Sequence, residues 1–421
     1  MMTHSEKTLE LLKRGNFTQA TTELQSALKS DNPDFLFDLG EQLQDLGFAD
    51  WSKKIYQRLQ QIYPAEDQLK IKLAEIAINE GQDDQALTYL NAVLPTSSVY
   101  LNSLLVTADL YQTQGLFEVS EQKLLTALKL APDEPVVIFG LAELYYDVKH
   151  FKAALPLYLK LIKAGQLQFA KVNLVQRLGI CYAETGHFEQ ALGYLEQIHE
   201  KDLDPDILFQ LSFTQLQVKH YEDAARNFEK LRRTNPDYTS LYPYLAESYK
   251  QQGQLSQALL TDQEGLRVDQ YDEKLFLHAS RLAQKLQKFD LAEKYLKKIL
   301  EFDEENLTAL IELSDFLQNQ KRYQENVELL TKAIKTSNDP QLAWNLGIAY
   351  SALEKDQAAL ECYRSVQTAF SSEADFWHQL APLARRGGDL QLAKQAVKRY
   401  LQLVPNDLQM IDFQSELEDK F

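Results

Sequence analysis

The chain has 421 residues, 45% of them hydrophobic and 25% charged, and a net charge of −17. That hydrophobic share suits a folded protein, whereas the acidity excludes broad binding to a phosphate backbone. Only two cysteines, Cys181 and Cys362, argue against a disulfide framework, and no apolar run approaches the length of a bilayer span. The N-terminal MMTHSEKTLELLKRG has no apolar signal core, so a soluble cytoplasmic protein is expected.

In chain order, a small residue returns every 33 to 37 positions: Gly40, Ala74, Ala108, Ala142, Gly179, Ser212, Ala246, Ser280, Ser314, Gly347 and Ala381. Twelve residues past each, a second small residue usually follows, as at Ser52, Ala86, Ser120, Ala154, Ala191, Ala224, Ala258, Ala292, Ala359 and Ala393. Four residues later comes a large apolar one, such as Tyr56, Leu90, Tyr158, Leu195, Phe228 or Tyr363. Two periodic small positions let two helices approach closely, and the large side chain fills the remaining gap. A fixed period of this size predicts a solenoid of helical hairpins.

The first unit, near 1–33, carries Thr8 where the small residue belongs. Units follow near 34–66, 67–100, 101–134 and 135–170. The interval from Ala142 to Gly179 is 37, which predicts a longer inter-repeat loop over 163–171 and a slight kink. Segment 172–205 shows the pattern through Val175, Leu178, Gly179, Tyr182, Gly186 and Ala191; segment 240–270 shows it through Tyr242, Leu245, Ala246, Tyr249, Gly253 and Ala258. In that eighth unit Asp262 and Gly265 stand where larger residues are expected, which reads as a locally weak repeat, a hinge or a ligand notch. Segment 374–405 is the clearest: Trp377, Leu380, Ala381 and Ala384 share one helix face, Gly387–Asp389 turn the chain, and Leu390, Ala393, Val397 and Tyr400 share another. Residues 1–406 are thus expected to form about twelve units, and 407–421 a polar capping helix.

The pattern of a large residue, Leu, a small residue, Tyr, then Ala, a large residue, Ala and Pro resembles the tetratricopeptide repeat. It recurs over essentially the whole chain, with closing prolines at Pro64, Pro132, Pro236 and Pro405. The organisation is similar to that of whole-chain tetratricopeptide proteins of low-GC Gram-positive bacteria. The resemblance implies an all-α, right-handed superhelical α-solenoid whose first helices line a concave groove that grips a peptide or partner helix.

Carrying over the family's groove positions gives an acidic ladder, Glu41, Glu75, Asp109 and Glu143, at steps of 34. Asp34, Asp45, Asp147 and Glu184 join it, Phe37, Phe139 and Tyr146 lie among them with Ile71, Leu105 and Val136, and the groove positions of units two to six contribute no Lys or Arg. Further on the sign changes, with Lys274, Arg281 and Lys285 in unit nine and Arg385 and Arg386 in unit twelve. The expected function is a non-catalytic interaction scaffold that receives a basic or amphipathic protein segment. The alternative is a ligand-responsive regulator that changes pitch and acts on a separate effector.

Catalysis has no visible seat. No His pairs with another His or Cys at i, i+3 or i+4, and no phosphate loop, serine elbow or H-E-x-x-H occurs. His150, His187 and His220 recur at one intra-repeat turn, Cys181 and Cys362 read as packing residues, and no metal or cofactor is expected. The family's carboxylate clamp needs Lys and Arg where this chain has acids, and a leading helix-turn-helix domain has no room before the first repeat.

Overall fold

The computed structural model describes residues 2–418. It is all-α apart from one short hairpin, and it divides into two compact units, Met1–Gln210 and Leu211–Phe421, with the division falling inside the helix Pro205–Gln217. Among the described residues, twenty-four helices pair in chain order as twelve hairpins, from His4–Lys13 with Phe17–Ser30 to Ala374–Arg386 with Leu390–Leu403. A twenty-fifth, Leu408–Glu418, follows. Within each unit a hairpin packs on the next, so the architecture is an α-solenoid.

The small-residue ladder is the hairpin contact. A Cβ placed on Gly40 would lie 2.7 Å from the Tyr56 ring, one on Gly179 2.8 Å from Leu195, and one on Gly347 2.9 Å from Tyr363. Each small residue therefore seats the large residue sixteen positions on, which is why Tyr56, Tyr158, Leu195 and Tyr363 are almost wholly buried. Where serine holds a small position its hydroxyl is satisfied locally: Ser52 Oγ donates to Gly40 O at 2.9 Å, and Ser280 Oγ to Ala292 O at 3.0 Å. The turn between the two helices needs one residue at positive φ. Glycine supplies it at Gly81 and Gly186, and Lys149, Lys219 and Gln287 take it elsewhere.

The expected loop at 163–171 is more structured than its composition suggests. The helix Phe151–Lys163 ends on schedule, and Gln168–Phe169 then pairs antiparallel with Val172–Asn173. Ala170 and Lys171 both adopt positive φ, the conformation a two-residue hairpin requires. Phe169 packs on Phe139 with ring centroids 4.6 Å apart, so the insertion is anchored on its own repeat.

Repeat eight is regular rather than thin. Its second helix runs unbroken from Leu255 to Val268, Asp262 is fully buried, and Gly265 accommodates Tyr242 and Leu275, which a Cβ would meet at 2.7 and 2.8 Å. In the last helix Met410 and Leu417 are buried while Leu408 is exposed. Residues 419–421 of the expected capping segment lie outside the described residues. Among those described, no helix is long and apolar enough to cross a membrane.

Candidate interaction surface

First helices of successive repeats meet through a recurring pair of positions. At several junctions the residue just after the small residue contacts, from the next repeat, the residue two before its small residue. Glu41 pairs with Lys72 at 2.9 Å. Glu143 receives Arg177 through Nε at 3.1 Å and Nη2 at 2.9 Å, a bidentate geometry. In the second unit Phe213 and Tyr244 meet edge to face at 5.0 Å, Glu247 lies 3.2 Å from His278 Nε2, Arg281 Nε donates to Glu312 at 3.0 Å, and Asn345 donates to Asp315 at 2.9 Å. One register thus uses ion pairs of either polarity, an aromatic pair and an amide–carboxylate bond.

Two acids of the ladder lack this pairing. The register sets Val106 opposite Glu75 and Gly140 opposite Asp109, and neither residue can carry a compensating charge. Among the described residues Glu75 has only Lys72 at 4.0 Å, and Lys72 is already engaged by Glu41. Asp109 is exposed and makes no ion pair among the described residues. Asp45 is also exposed, and the phenol of Tyr56 lies near Asp45 and Glu75. Burial, then Glu41, Glu75 and Asp45, push that phenol above its ordinary range, which places all three carboxylates near it. Its oxygen is buried without a hydrogen-bond partner. The equivalent Tyr158 and Tyr363 hydroxyls donate instead to Glu143 and Gln379.

The other expected surface residues divide into engaged and free. Glu143 is held by Arg177 and Tyr158, and Arg177 lies 4.0 Å above the Tyr146 ring, so these residues form a structural knot. Phe139 is covered on one side by Phe169. Phe37 packs on Tyr56 at 5.8 Å and lines an open pocket of about 530 Å³ with Asp34, Tyr63 and Leu69. Asp147, Glu184, Lys274 and Lys285 are exposed, while Arg281 is committed to Glu312. Burial, and secondarily Glu143, raises the Asp147 carboxyl above its usual range. Arg385 and Arg386 are engaged by Glu416 and Asp356.

One expectation is corrected. Ile71 is a core residue, only 1% exposed, because its side chain faces the neighbouring helices. From a position outside the family's groove set, Lys72 and Arg177 bring cations to the acidic face, where they pair with Glu41 and Glu143.

Burial pushes the Cys181 thiol up to about 12 and the Cys362 thiol up to about 11, so neither is a thiolate nucleophile near neutrality. His150, His187 and His220 each immediately precede a second helix. Among the described residues no group of three or more His, Cys, Asp or Glu could hold a metal ion.

The profile described as YpiA-like tetratricopeptide repeats matches residues 112–166, its C-terminal counterpart matches 340–407, and a general tetratricopeptide repeat profile matches 277–343. The TPR repeat-containing protein YpiA of Bacillus subtilis is 30% identical over 422 residues, covering 100% of both chains. Among solved structures, the C-terminal part of a TPR repeat-containing protein from Cytophaga hutchinsonii matches with a TM-score of 0.49 at 17% identity, over 56% of this chain and 98% of that one. A tetratricopeptide repeat protein from Parabacteroides merdae matches with a TM-score of 0.41 at 16% identity, over 58% of this chain and 98% of that one. The hairpin geometry and the full-length relative together place the chain in the tetratricopeptide-repeat family, among its YpiA-like members.

Proposed function

We propose that this protein is a non-catalytic cytoplasmic scaffold whose first-helix face over repeats two to four receives a basic, amphipathic segment of a partner protein. Tetratricopeptide repeats are in general protein-interaction modules. The observation that carries the finer reading is the failure of inter-repeat pairing at Glu75 and Asp109, where Val106 and Gly140 stand in the compensating position. Glu75 has only a distant share of Lys72 and Asp109 has no cation among the described residues, so folding alone gives little reason to keep these carboxylates. A lysine or arginine from a partner supplies the missing cation, and Leu105, Val106 and Phe37 offer apolar surface beside it. Neither nucleic acid nor membrane insertion belongs to this reading.

The test uses a fluorescent synthetic peptide of alternating lysine and leucine clusters, titrated by anisotropy at several salt concentrations. Substituting Glu75→Lys and Asp109→Lys together is expected to weaken binding at least tenfold and to flatten the salt dependence. Unchanged affinity with an unchanged salt slope would overturn the reading.

A further inference from the structure

At the slot where other repeats bury Tyr56, Tyr158 or Tyr363, repeat eight buries a carboxylate. Asp262 is fully buried, its Oδ1 has no hydrogen-bond partner, and its Oδ2 lies 2.9 Å from His278 Nδ1. The other imidazole nitrogen of His278, Nε2, lies 3.2 Å from Glu247 Oε2. One imidazole therefore bridges carboxylates on two other helices, Leu241–Gln251 and Leu255–Val268, while itself riding on Glu273–Lys285. Carboxylates only accept, so both ring nitrogens must carry hydrogen to satisfy both contacts. The arrangement is complete only while it holds an extra proton, on the ring or on Asp262.

We propose that Asp262, His278 and Glu247 form a proton-dependent latch that fastens the second helix of repeat eight to the first helix of repeat nine. With the proton present, His278 is hydrogen-bonded to both Asp262 and Glu247. Without it, Asp262 is a buried anion facing a neutral ring, one hydrogen bond is lost, and the two repeats loosen at this point.

The charged surroundings favour keeping the proton. From the helix Leu241–Gln251, Glu247 is itself engaged by Lys250 at 2.6 Å and by Gln251. At the start of the helix Glu273–Lys285, Asp272 adds negative charge. From the helix Phe289–Phe302, Tyr295 approaches through Gln263, whose Nε2 donates to its hydroxyl at 2.9 Å. From the helix Tyr221–Thr234, Arg232 is taken by Glu229 and Glu264 and gives Asp262 no counter-charge. Burial, outweighing the His278 contact, pushes the Asp262 carboxyl up to about 6. The group's folded value is thus above its ordinary one, so its stabilising state is present at low pH and is lost as pH rises through about 6.

Hydrogen exchange of the full chain at pH 4.5 and pH 8, corrected for intrinsic exchange rates, tests the latch. Protection over Leu255–Val268 and Glu273–Lys285 is expected to fall at least tenfold at the higher pH, while repeats ten to twelve stay unchanged. Asp262→Leu, which restores the side chain found at Leu296 and Leu330, is expected to abolish that pH response. Asp262→Asn, a second variant that keeps hydrogen-bonding groups at this position but not the titrating carboxyl, is expected to do the same. Protection independent of pH in the natural chain, or an equal fall in either folded variant, would overturn the proposal.

Discussion

Repeats five and eight solve one packing problem with opposite chemistry. Both leave a slot sixteen residues after the first small position, and its occupant reaches the first-helix face. In repeat five Tyr158 fills the slot with its ring and donates its hydroxyl to Glu143, which Arg177 also holds. In repeat eight Asp262 is smaller, accepts from His278, and leaves one oxygen without a partner. The tyrosine solution combines apolar burial with a satisfied hydroxyl and a neutralised acid. The aspartate solution gives up that apolar burial and depends on a proton. One hairpin slot can therefore serve as a rigid anchor or as a titratable contact.

Substitutions at these positions should separate the two cases. Tyr158→Ala removes a fully buried ring and orphans part of the Glu143 network, and should destabilise the first unit by about 3–5 kcal/mol in urea unfolding. A loss below about 1 kcal/mol would mean that the slot is not an anchor. Asp262→Leu should have the opposite sign at neutral pH, with a gain of about 2 kcal/mol at pH 7.5 that shrinks towards pH 5, because the raised carboxyl value costs stability only once the group ionises. A gain of the same size at both pH values would break the comparison. Glu143→Gln, which leaves Arg177 short of its counter-charge, should cost about 1–3 kcal/mol. By contrast Glu75→Gln should change stability by less than about 0.5 kcal/mol, as expected of a half-exposed acid without a committed partner. Comparing their unfolding midpoints sharpens the distinction between structural and available acids. The smallest gain is expected from Asn326→Ala. That fully buried amide has neither polar atom satisfied at the second small position, and its removal should stabilise the second unit by about 1 kcal/mol, read as a higher urea midpoint.

The hairpins were legible because their defining contact is local. Gly40 and Tyr56, or Gly347 and Tyr363, lie sixteen residues apart, and their sizes are complementary in the sequence itself. The pairing between repeats was less legible, since it depends on how neighbouring first helices slide past each other. Arg177 lies 34 residues from Glu143, while Lys72 lies 31 from Glu41, and neither belongs to the groove positions carried over from the family. The small-residue ladder nevertheless contained the rule, because each of these pairs falls one residue after one small position and two before the next. Asp262 stood out as polar in a core slot, but its partner His278 was hidden at the same sixteen-residue spacing that joins Tyr363 to Gln379. The hairpin at 168–173 left no signal, because Ala170 and Lys171 are not residues that favour positive φ.

The central functional claim is that the acids of repeats three and four that lack an inter-repeat cation, rather than the neutralised ones beside them, meet a partner. Hydrogen exchange in the presence of the same lysine–leucine peptide addresses it most directly. New protection is expected to concentrate in Asp67–Asn79 and Tyr100–Thr113, the helices that carry Glu75 and Asp109. Protection confined to other helices, with these two unchanged on binding, would contradict it.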